Sequence, residues 1–537
     1  MYIATVPNRN ASPTILLRES YREGGKVKNR TLANLTHWKT ERVEALRRAL
    51  RGDFDGLEGE VTSGLIFGVL FTLKILADRL GLTAALGRHR KARLALFLVL
   101  ARVAHQGSRL SALRWARDHA VDEVLDLDAL SEEELLETLD WLDEQQEAIE
   151  AKLYQAYVAR SGAPPVLVLY DVTSSYLEGE QNELAEYGYN RDGKRGKKQI
   201  VVGLLTGDDG YPLAIRVFRG NTSDPTTVPE QIETLKRRFG IAEVVFVGDR
   251  GMVKARGKWA LMEQCCHYIT ALTNAQVRKL LKDKVFQFGL FDEQVHEVEH
   301  EGFRLVLRRN DAVRRKEHHR RESKLAALLS KIDERNDFVA HSSRANPAAG
   351  LKTLRGWASH HKLSGFVELQ LNGRMIRSTV DEQAQAEAGL LDGCYVIETD
   401  VPEELLDPQT VNDLYSSLQQ VEHNFRTLKT WWIELRPICV RKASRTRGHV
   451  FATMLALIVA REIQLRLAKS FGTTDDDPQA VTWKDALAGL ARLTFVTYKA
   501  TDDHPVQRLM RPDRPQQAIL DALDIPWPAQ PARKRSA

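Results

Sequence analysis

Between residues 161 and 275 the apolar runs come in an order that few architectures accept. After SGAPP, Val166–Asp171 (VLVLYD) reads as a buried strand that ends in an acid. Gln199–Thr206 reads as a second strand, Asp208–Gly210 as a tight turn and Tyr211–Phe218 as a third strand. A helix over Thr226–Phe239 leads into a strand over Glu243–Val247, which ends at Gly248-Asp249-Arg250-Gly251. A further helix, Lys254–Glu263, precedes the strand Tyr268–Leu272. The order βββαβαβ joins an antiparallel hairpin edge to parallel strands with helical crossovers.

This is the strand order of a ribonuclease H-like core. In that α/β arrangement carboxylates are expected from the first strand, the fourth strand and a later helix, and Asp171 and Asp249 stand at the first two places. The third falls on VNDLYSSLQQVEHNFRTLKTWW, Val411–Trp432, which predicts one long helix. Asp407 and Pro408 supply the cap and the first-turn proline. Leu414, Leu418, Val421, Phe425, Leu428 and Trp432 repeat with helical period and form a buried stripe. At about 100° per residue, Tyr415, Leu418, Arg426 and Lys429 fall within roughly 40° of Glu422. Glu–Arg and Glu–Lys neighbours are also common decoration of a solvated helix face, and acids often end strands. The sheet order and the helix together single these acids out.

Three carboxylates in a dry cleft repel one another unless a cation joins them. Mg²⁺, or Mn²⁺ as a substitute, suits such oxygen ligands. Two ions roughly 4 Å apart activate an attacking water or 3′-hydroxyl and stabilise the leaving oxygen on phosphorus. In this reading Asp171 bridges the ions, Asp249 holds one and Glu422 the other. Lys429 and Tyr415 are placed to meet a phosphate backbone, and Arg426 either does the same or pairs at the surface. Tyr189, Asn190 and Lys194, in the loop after the first acid, are candidates to orient substrate. Asn221 reads as a turn cap, and Arg436 and His449 are weaker candidates.

The rest of the chain divides around this core. Residues 1–50 form a basic N-terminal hairpin region, turning at Gly24-Gly25 and carrying Arg22, Lys26 and Arg30. Residues 51–160 read as helical, with Ser131 and Glu134 as a capping box. The core takes 161–274 and 396–470, interrupted by a strand-rich insertion over 275–395 with one charged helix near 321–334. Residues 471–537 form a C-terminal helical and tail region whose proline-bearing end is expected to be loosely ordered. The 537 residues carry a formal charge of +5, concentrated at Lys26–Arg30, Arg191–Lys198 and Arg308–Arg321; such blocks are solvated surface or phosphate contacts. Four cysteines give neither a disulfide framework nor a zinc pattern. The most apolar helix, Phe451–Ala460, is too short to span a bilayer, and no targeting segment is seen, so a soluble protein is expected.

On the glutamate helix, Tyr415, Glu422 and Lys429 resemble a signature of tyrosine, two residues, arginine, three residues, glutamate, six residues and lysine. That signature is found in the IS4-type DDE transposases of bacterial insertion sequences. SYREGGKVKNRTLANL, YDVTSSYLEG and VFVGDRGM are similar to segments of the IS1634-like group, and the resemblance extends over roughly residues 1 to 470. Leu418 departs from it at the arginine position, with Arg426 a possible substitute. The resemblance implies binding of terminal inverted repeats in double-stranded DNA, hydrolytic cutting at the element ends and transfer of the 3′-OH to target DNA. It implies Asp171, Asp249 and Glu422 as the catalytic and metal-holding acids, and Tyr415 and Lys429 as DNA contacts. The residues from 51 to 160 would grip the DNA ends. A homodimer in the DNA complex, no membrane partner and a cytoplasmic, nucleoid-associated location are implied too. An aromatic of the insertion, for which Trp357 is the one tryptophan present, either holds a flipped base or packs in a core. Two other readings share these residues: a metal-dependent nuclease of the same fold without strand transfer, and an inactive DNA-binding descendant. Joined donor–target product separates the first, and indifference to loss of Asp171 the second.

Overall fold

The computed structural model describes residues 1–8, 12–52, 60–179, 181–189, 196–240, 245–249, 258, 266–342, 344–429, 435, 438–473, 477, 480–499 and 505–529. The chain forms two compact units. The larger comprises Leu76–Ala112 and Ala129–Glu462, and the smaller Met1–Ile75, Leu113–Asp128 and Ile463–Ala537. The boundary expected at residue 160 therefore does not separate compact units.

The larger unit is built on a mixed sheet. Its described strands are β1 (Leu167–Tyr176), β2 (Gln199–Gly207), β3 (Pro212–Arg219), β4 (Val245–Gly248), β5 (His267–Ala271), β6 (His296–His300), β7 (Phe303–Arg309) and β8 (Cys394–Thr399). They lie in the order β6-β7-β8-β5-β4-β1-β2-β3. β1, β2 and β3 pair antiparallel, while β1, β4 and β5 run parallel. β8 returns antiparallel beside β5 and carries β7 on its far edge. This mixed α/β sheet fits a ribonuclease H-like core.

The centre of the sheet is apolar because both faces are covered. Every residue of β2 is buried, and in β1 only Asp171 and Tyr176 are not fully so. Gly203 on β2 is needed where it stands: a Cβ there would lie 2.3 Å from the hydroxyl oxygen of the fully buried Tyr170. The strand that was expected to stop at Asp171 in fact continues to Tyr176, held by β2 alone beyond Tyr170. The crossover after β3 is a helix, Val228–Glu233, that widens into a looser turn over Thr234–Arg238. The helix expected over Lys254–Glu263 lies, apart from Lys258, outside the described residues.

Five of the helices bear on the site and its support: α1 (Glu132–Ser161), α2 (Asp311–His341), α3 (Pro408–Ser416), α4 (Leu418–Lys429) and α5 (Ala443–Phe471). Ser131 caps α1 by accepting the Glu134 N–H, as the capping-box pattern predicts. α1 packs on β3: Gln146 Nε2 donates to the Ile215 carbonyl at 2.8 Å, and the fully buried Glu150 accepts from Gln146, Arg216 and Arg238. The first turns of α5 cross α1 closely, since a Cβ on Gly448 would lie 2.0 Å from the Leu139 carbonyl oxygen. Arg445 and Arg447 clasp Asp140 and Asp143 across the crossing, at 2.9 and 2.7 Å.

The stretch expected to be a strand-rich insertion differs from that expectation. β6 and β7 belong to the main sheet, and most of the remainder is helical: α2, Pro347–His360 and Glu382–Gly389 beside a single hairpin, Val367–Asn372 with Met375–Val380. Charged residues that alternate poorly for a strand are good helix formers. Asn310 starts α2 by accepting from Ala312 and Val313, and Asn346 with Pro347 starts the next helix. These elements enclose their own core around Leu328, Ile332, Leu354, Leu363 and Ile376, and Trp357 packs against it.

The smaller unit holds two antiparallel sheets. Tyr2–Val6, Thr14–Glu23 and Lys26–Asn34 form one, turning through Gly24 and Gly25 at φ +58° and +78°, where glycine carries no steric cost. Glu60–Ile66, Thr494–Lys499 and Pro505–Leu509 form the other. The chain end expected to be loose instead supplies two strands and the helix Arg514–Ala522. Phe67, Phe495 and Trp527 pack together there, with ring centroids 5.6 and 6.2 Å from Phe67. Among the described residues no helix is long and apolar enough to cross a membrane.

Candidate active site

The parallel pairing of β1 with β4 ends at Tyr170 opposite Gly248. The next residue in each chain segment is an aspartate, so Asp171 and Asp249 both stand where the parallel pairing of the two strands stops, Asp249 at the carboxyl end of β4. That is the end of an open α/β sheet where ligands collect. Asp171 is half-buried, and its Oδ1 accepts the Val172 N–H at 2.7 Å. Asp249 is exposed, and its carbonyl accepts from Thr270 Oγ1 at 3.3 Å.

The third acid arrives on a helix packed across the same strands. α4 buries Leu418, Val421, Phe425 and Leu428, and seats this face on β1 and β2. Its rotation is fixed by Asn424, buried, whose Nδ2 donates to the Gly210 carbonyl at 2.9 Å in the β2–β3 turn. Glu422 is left on the exposed side, facing the aspartates. The single helix expected over Val411–Trp432 is two helices. Ser416 and Ser417 bond back to the carbonyls of Asn412 and Asp413 at 2.9 and 3.1 Å, competition with the backbone that breaks the run between α3 and α4. Residues 430–434 lie outside the described residues.

Asp171, Asp249 and Glu422 line one cleft, together with Tyr415, Leu418 and Tyr395. Its volume is about 290 Å³. Glu317 of α2 adds a fourth carboxylate, with its Oε2 accepting the Gly393 N–H at 2.9 Å. No lysine, arginine or histidine is among the described residues that line it. The four carboxylates supply hard, negatively charged oxygens, the donor type that suits a hard divalent cation, beside the Cys394 thiol, which burial keeps protonated. The acids share the cleft without forming a closed shell: no three His, Cys, Asp or Glu side chains among the described residues are gathered tightly enough to hold one ion.

Tyr415 lies in the wall, its ring stacked on Tyr395 at 6.5 Å. The Tyr395 hydroxyl donates to Asn412 Oδ1 at 2.6 Å, and burial holds its pKa above the usual phenol range, so it stays protonated. Leu418 is buried in the wall at the position where the resemblance has an arginine. Arg426, exposed, and Lys429, half-buried, do not line the cleft. Tyr189 is 82% exposed and also outside it, while Asn190, Lys194 and Arg436 lie outside the described residues. Arg22, Lys26 and Arg30 belong to the smaller unit's hairpin, where Arg30 is held by Glu19 at 2.6 Å. His449 is buried and donates to the Leu435 carbonyl at 3.0 Å, a structural place. Tyr395, Asn310 and Glu317 escaped the sequence reading because no spacing ties them to the acids. The one available signal was the Asn310 cap, which starts α2 at the cleft.

Residues 162–459, more than half of the chain, match the family described as "Transposase DDE domain". The chain belongs to the DDE transposases. Residues 3–60 of this transposase match the IS1634 family transposase N-terminal domain, so the IS4-type label expected from the sequence is the looser of the two. A search of curated proteins finds no match for the transposase. Among solved structures it is similar to a cryo-EM structure of a piggyBac transposase synaptic complex with hairpin DNA. That similarity covers 79% of this chain and 75% of that one, at 10% identity and a TM-score of 0.34. A likeness that distant carries no weight for the site.

Proposed function

We propose that this transposase binds the terminal inverted repeats of its element, hydrolyses DNA phosphodiesters at the ends and joins the freed 3′-OH to target DNA. Asp171, Asp249 and Glu422 are its catalytic acids and hold Mg²⁺, with Mn²⁺ as a substitute. Such ions, when bound, activate the attacking oxygen and stabilise the leaving one. The observation that carries this reading is the meeting of three acids from β1, β4 and α4 in one cleft whose described wall has no basic side chain. Asp171 and Asp249, both where the parallel pairing of β1 and β4 stops, are the proposed pair to share a ligand. Glu422, opposite them, completes the set. Tyr415 lies in the wall of the same cleft and is a proposed contact to a DNA phosphate. Leu418 makes that part of the wall apolar, so a phosphate contact on this helix falls to Lys429 or Arg426 further along. Tyr189, Lys194, Arg22, Lys26 and Arg30 remain proposed DNA contacts. Two ends must be held together for transposition, and a homodimer on DNA meets that need.

The test is a cleavage assay with labelled duplexes carrying the ends that flank the gene, in Mg²⁺ or Mn²⁺. Cuts at the element boundary and joined product with a target duplex are expected from the wild type and from none of Asp171→Ala, Asp249→Ala and Glu422→Ala. Equal cutting by wild type and variants would overturn the assignment of the acids. Cutting without joined product would identify a nuclease of the same fold.

A further inference from the structure

The cleft opens onto α2, whose Asn310, Val313 and Glu317 form part of its wall. Placed on a wheel of about 100° per residue, Lys316, Arg320, Lys324 and Lys331 fall within roughly 60° of Val313. They form one stripe that starts at the acid cleft and runs along the helix. Lys316, Arg320 and Lys331 are exposed and Lys324 is half-exposed. None of the four takes a carboxylate partner among the described residues. Lys331 lies over the Trp357 ring at 6.0 Å and keeps its charge. The other faces of α2 behave differently. Arg321 is paired with Asp392 and Arg314 lies 3.8 Å from Asp311, while Arg335, on the stripe's own face beyond Lys331, donates to the Asn346 carbonyl at 3.0 Å. Unneutralised cations are thus concentrated on the side contiguous with the cleft.

We propose that this stripe is a phosphate track for the DNA duplex whose scissile strand enters the acid cleft. The inference rests on the proposed function of that cleft. From Lys316 to Lys331 the helix rises about 22 Å, at ~1.5 Å per residue. At ~3.4 Å per base pair, that spans about six steps of duplex. The stripe brings positive charge beside a cleft whose described lining holds no basic side chain. A polyanion has to approach four carboxylates, and cations beside them hold it in place while leaving the acids to their ions. Nothing in such contacts reads bases, so the track serves any sequence that flanks the cut.

The test compares the full-length wild type with the variant Lys316→Gln/Arg320→Gln/Lys324→Gln/Lys331→Gln. Binding of an end-carrying duplex is followed by anisotropy in EDTA from low to high salt, with a hydroxyl-radical footprint of each complex. The slope of log affinity against log salt is expected to become shallower by roughly 3 to 4, at about 0.9 per phosphate. Protection should shorten by about six base pairs on one side of the cut. Lys316→Gln and Arg320→Gln, exposed single changes, should each remove about 0.9 from the slope. Arg315→Gln, on the opposite side of α2, should leave it unchanged. An unaltered slope and footprint in the fourfold variant, with the wild type still cutting in Mg²⁺, overturns the track alone. A wild type that neither binds the duplex nor cuts it overturns the proposed function, and the track with it.

Discussion

At the scale of single residues, the four carboxylates of the cleft are not equivalent. Asp171 stands on β1 where its pairing with β4 stops, Asp249 just past β4, and Glu422 on the helix laid across β1, whereas Glu317 comes from α2 and is tied to the Gly393 N–H. Asp171→Asn, Asp249→Asn and Glu422→Gln are therefore expected to lower the cleavage rate by about 10³-fold or more, since metal stabilisation of the transition state is worth several kcal/mol. Glu317→Gln should retain cleavage within roughly tenfold, a loss of at most ~1.4 kcal/mol. Single-turnover rates on one end duplex compare all four. Equal losses across the set would make Glu317 a member of the site. Gly203 tests packing instead. Gly203→Ala forces a methyl against Tyr170 and should destabilise the protein by about 1–3 kcal/mol, read as a lower midpoint in urea.

At the scale of elements, α4 delivers Glu422 only because its register is pinned. The buried Asn424 ties it to the Gly210 carbonyl, and Asn424→Leu leaves that carbonyl without its donor, at a cost of about 1–3 kcal/mol. The expected result is a lower melting temperature together with slower cleavage and unchanged affinity for the end duplex. Slower cleavage without any change in melting would show that Asn424 acts on the chemistry directly. The sheet order and the aspartates were legible because a parallel strand buried on both faces reads as one apolar run, and the residue at its mouth is conspicuous. The length of β1 was not, since its continuation past Asp171 depends on pairing with β2 rather than on its own pattern. The division of the glutamate helix was hidden as well. Tyr-Ser-Ser is compatible with a helix, and the back-bonding of the two serines is decided by the tertiary packing around them. α2 was underread because a charged run of Arg, Lys, Glu and His gives little apolar periodicity, although the Asn310 cap was there to be used.

At the scale of the whole molecule, long-range pairing assembles the units from distant segments, and this is what a linear division of the chain misses. Strands near residues 60, 495 and 505 share a sheet, and α1 is clasped by α5 some three hundred residues later. Such contacts leave no local signature, which is why the tail was expected to be loose and the first helices separate. They also couple the fold to pH. His449 on α5 is fully buried and donates to the Leu435 carbonyl, and burial, followed by the charges of Arg102 and Arg109, pushes its pKa down to about 3. The imidazole stays neutral in the fold but takes a proton near pH 6.5 once unfolded. Its contribution to stability is thus complete above pH 6.5 and is lost as the pH falls from there towards 3, with a slope of up to about 1.4 kcal/mol per pH unit. His449→Gln should flatten the dependence of the urea midpoint between pH 4.5 and 6.5. An unchanged slope would place the acid sensitivity elsewhere.

The central claim, that three acids from separate elements act as one site for divalent ions, is tested most directly by Mn²⁺ binding followed by electron paramagnetic resonance. The wild type bound to an end duplex should take up two ions per chain. Asp171→Asn, Asp249→Asn and Glu422→Gln should each bind fewer or bind them weakly, with Glu317→Gln close to wild type. The same Mn²⁺ uptake in the wild type and in all three variants would contradict the account.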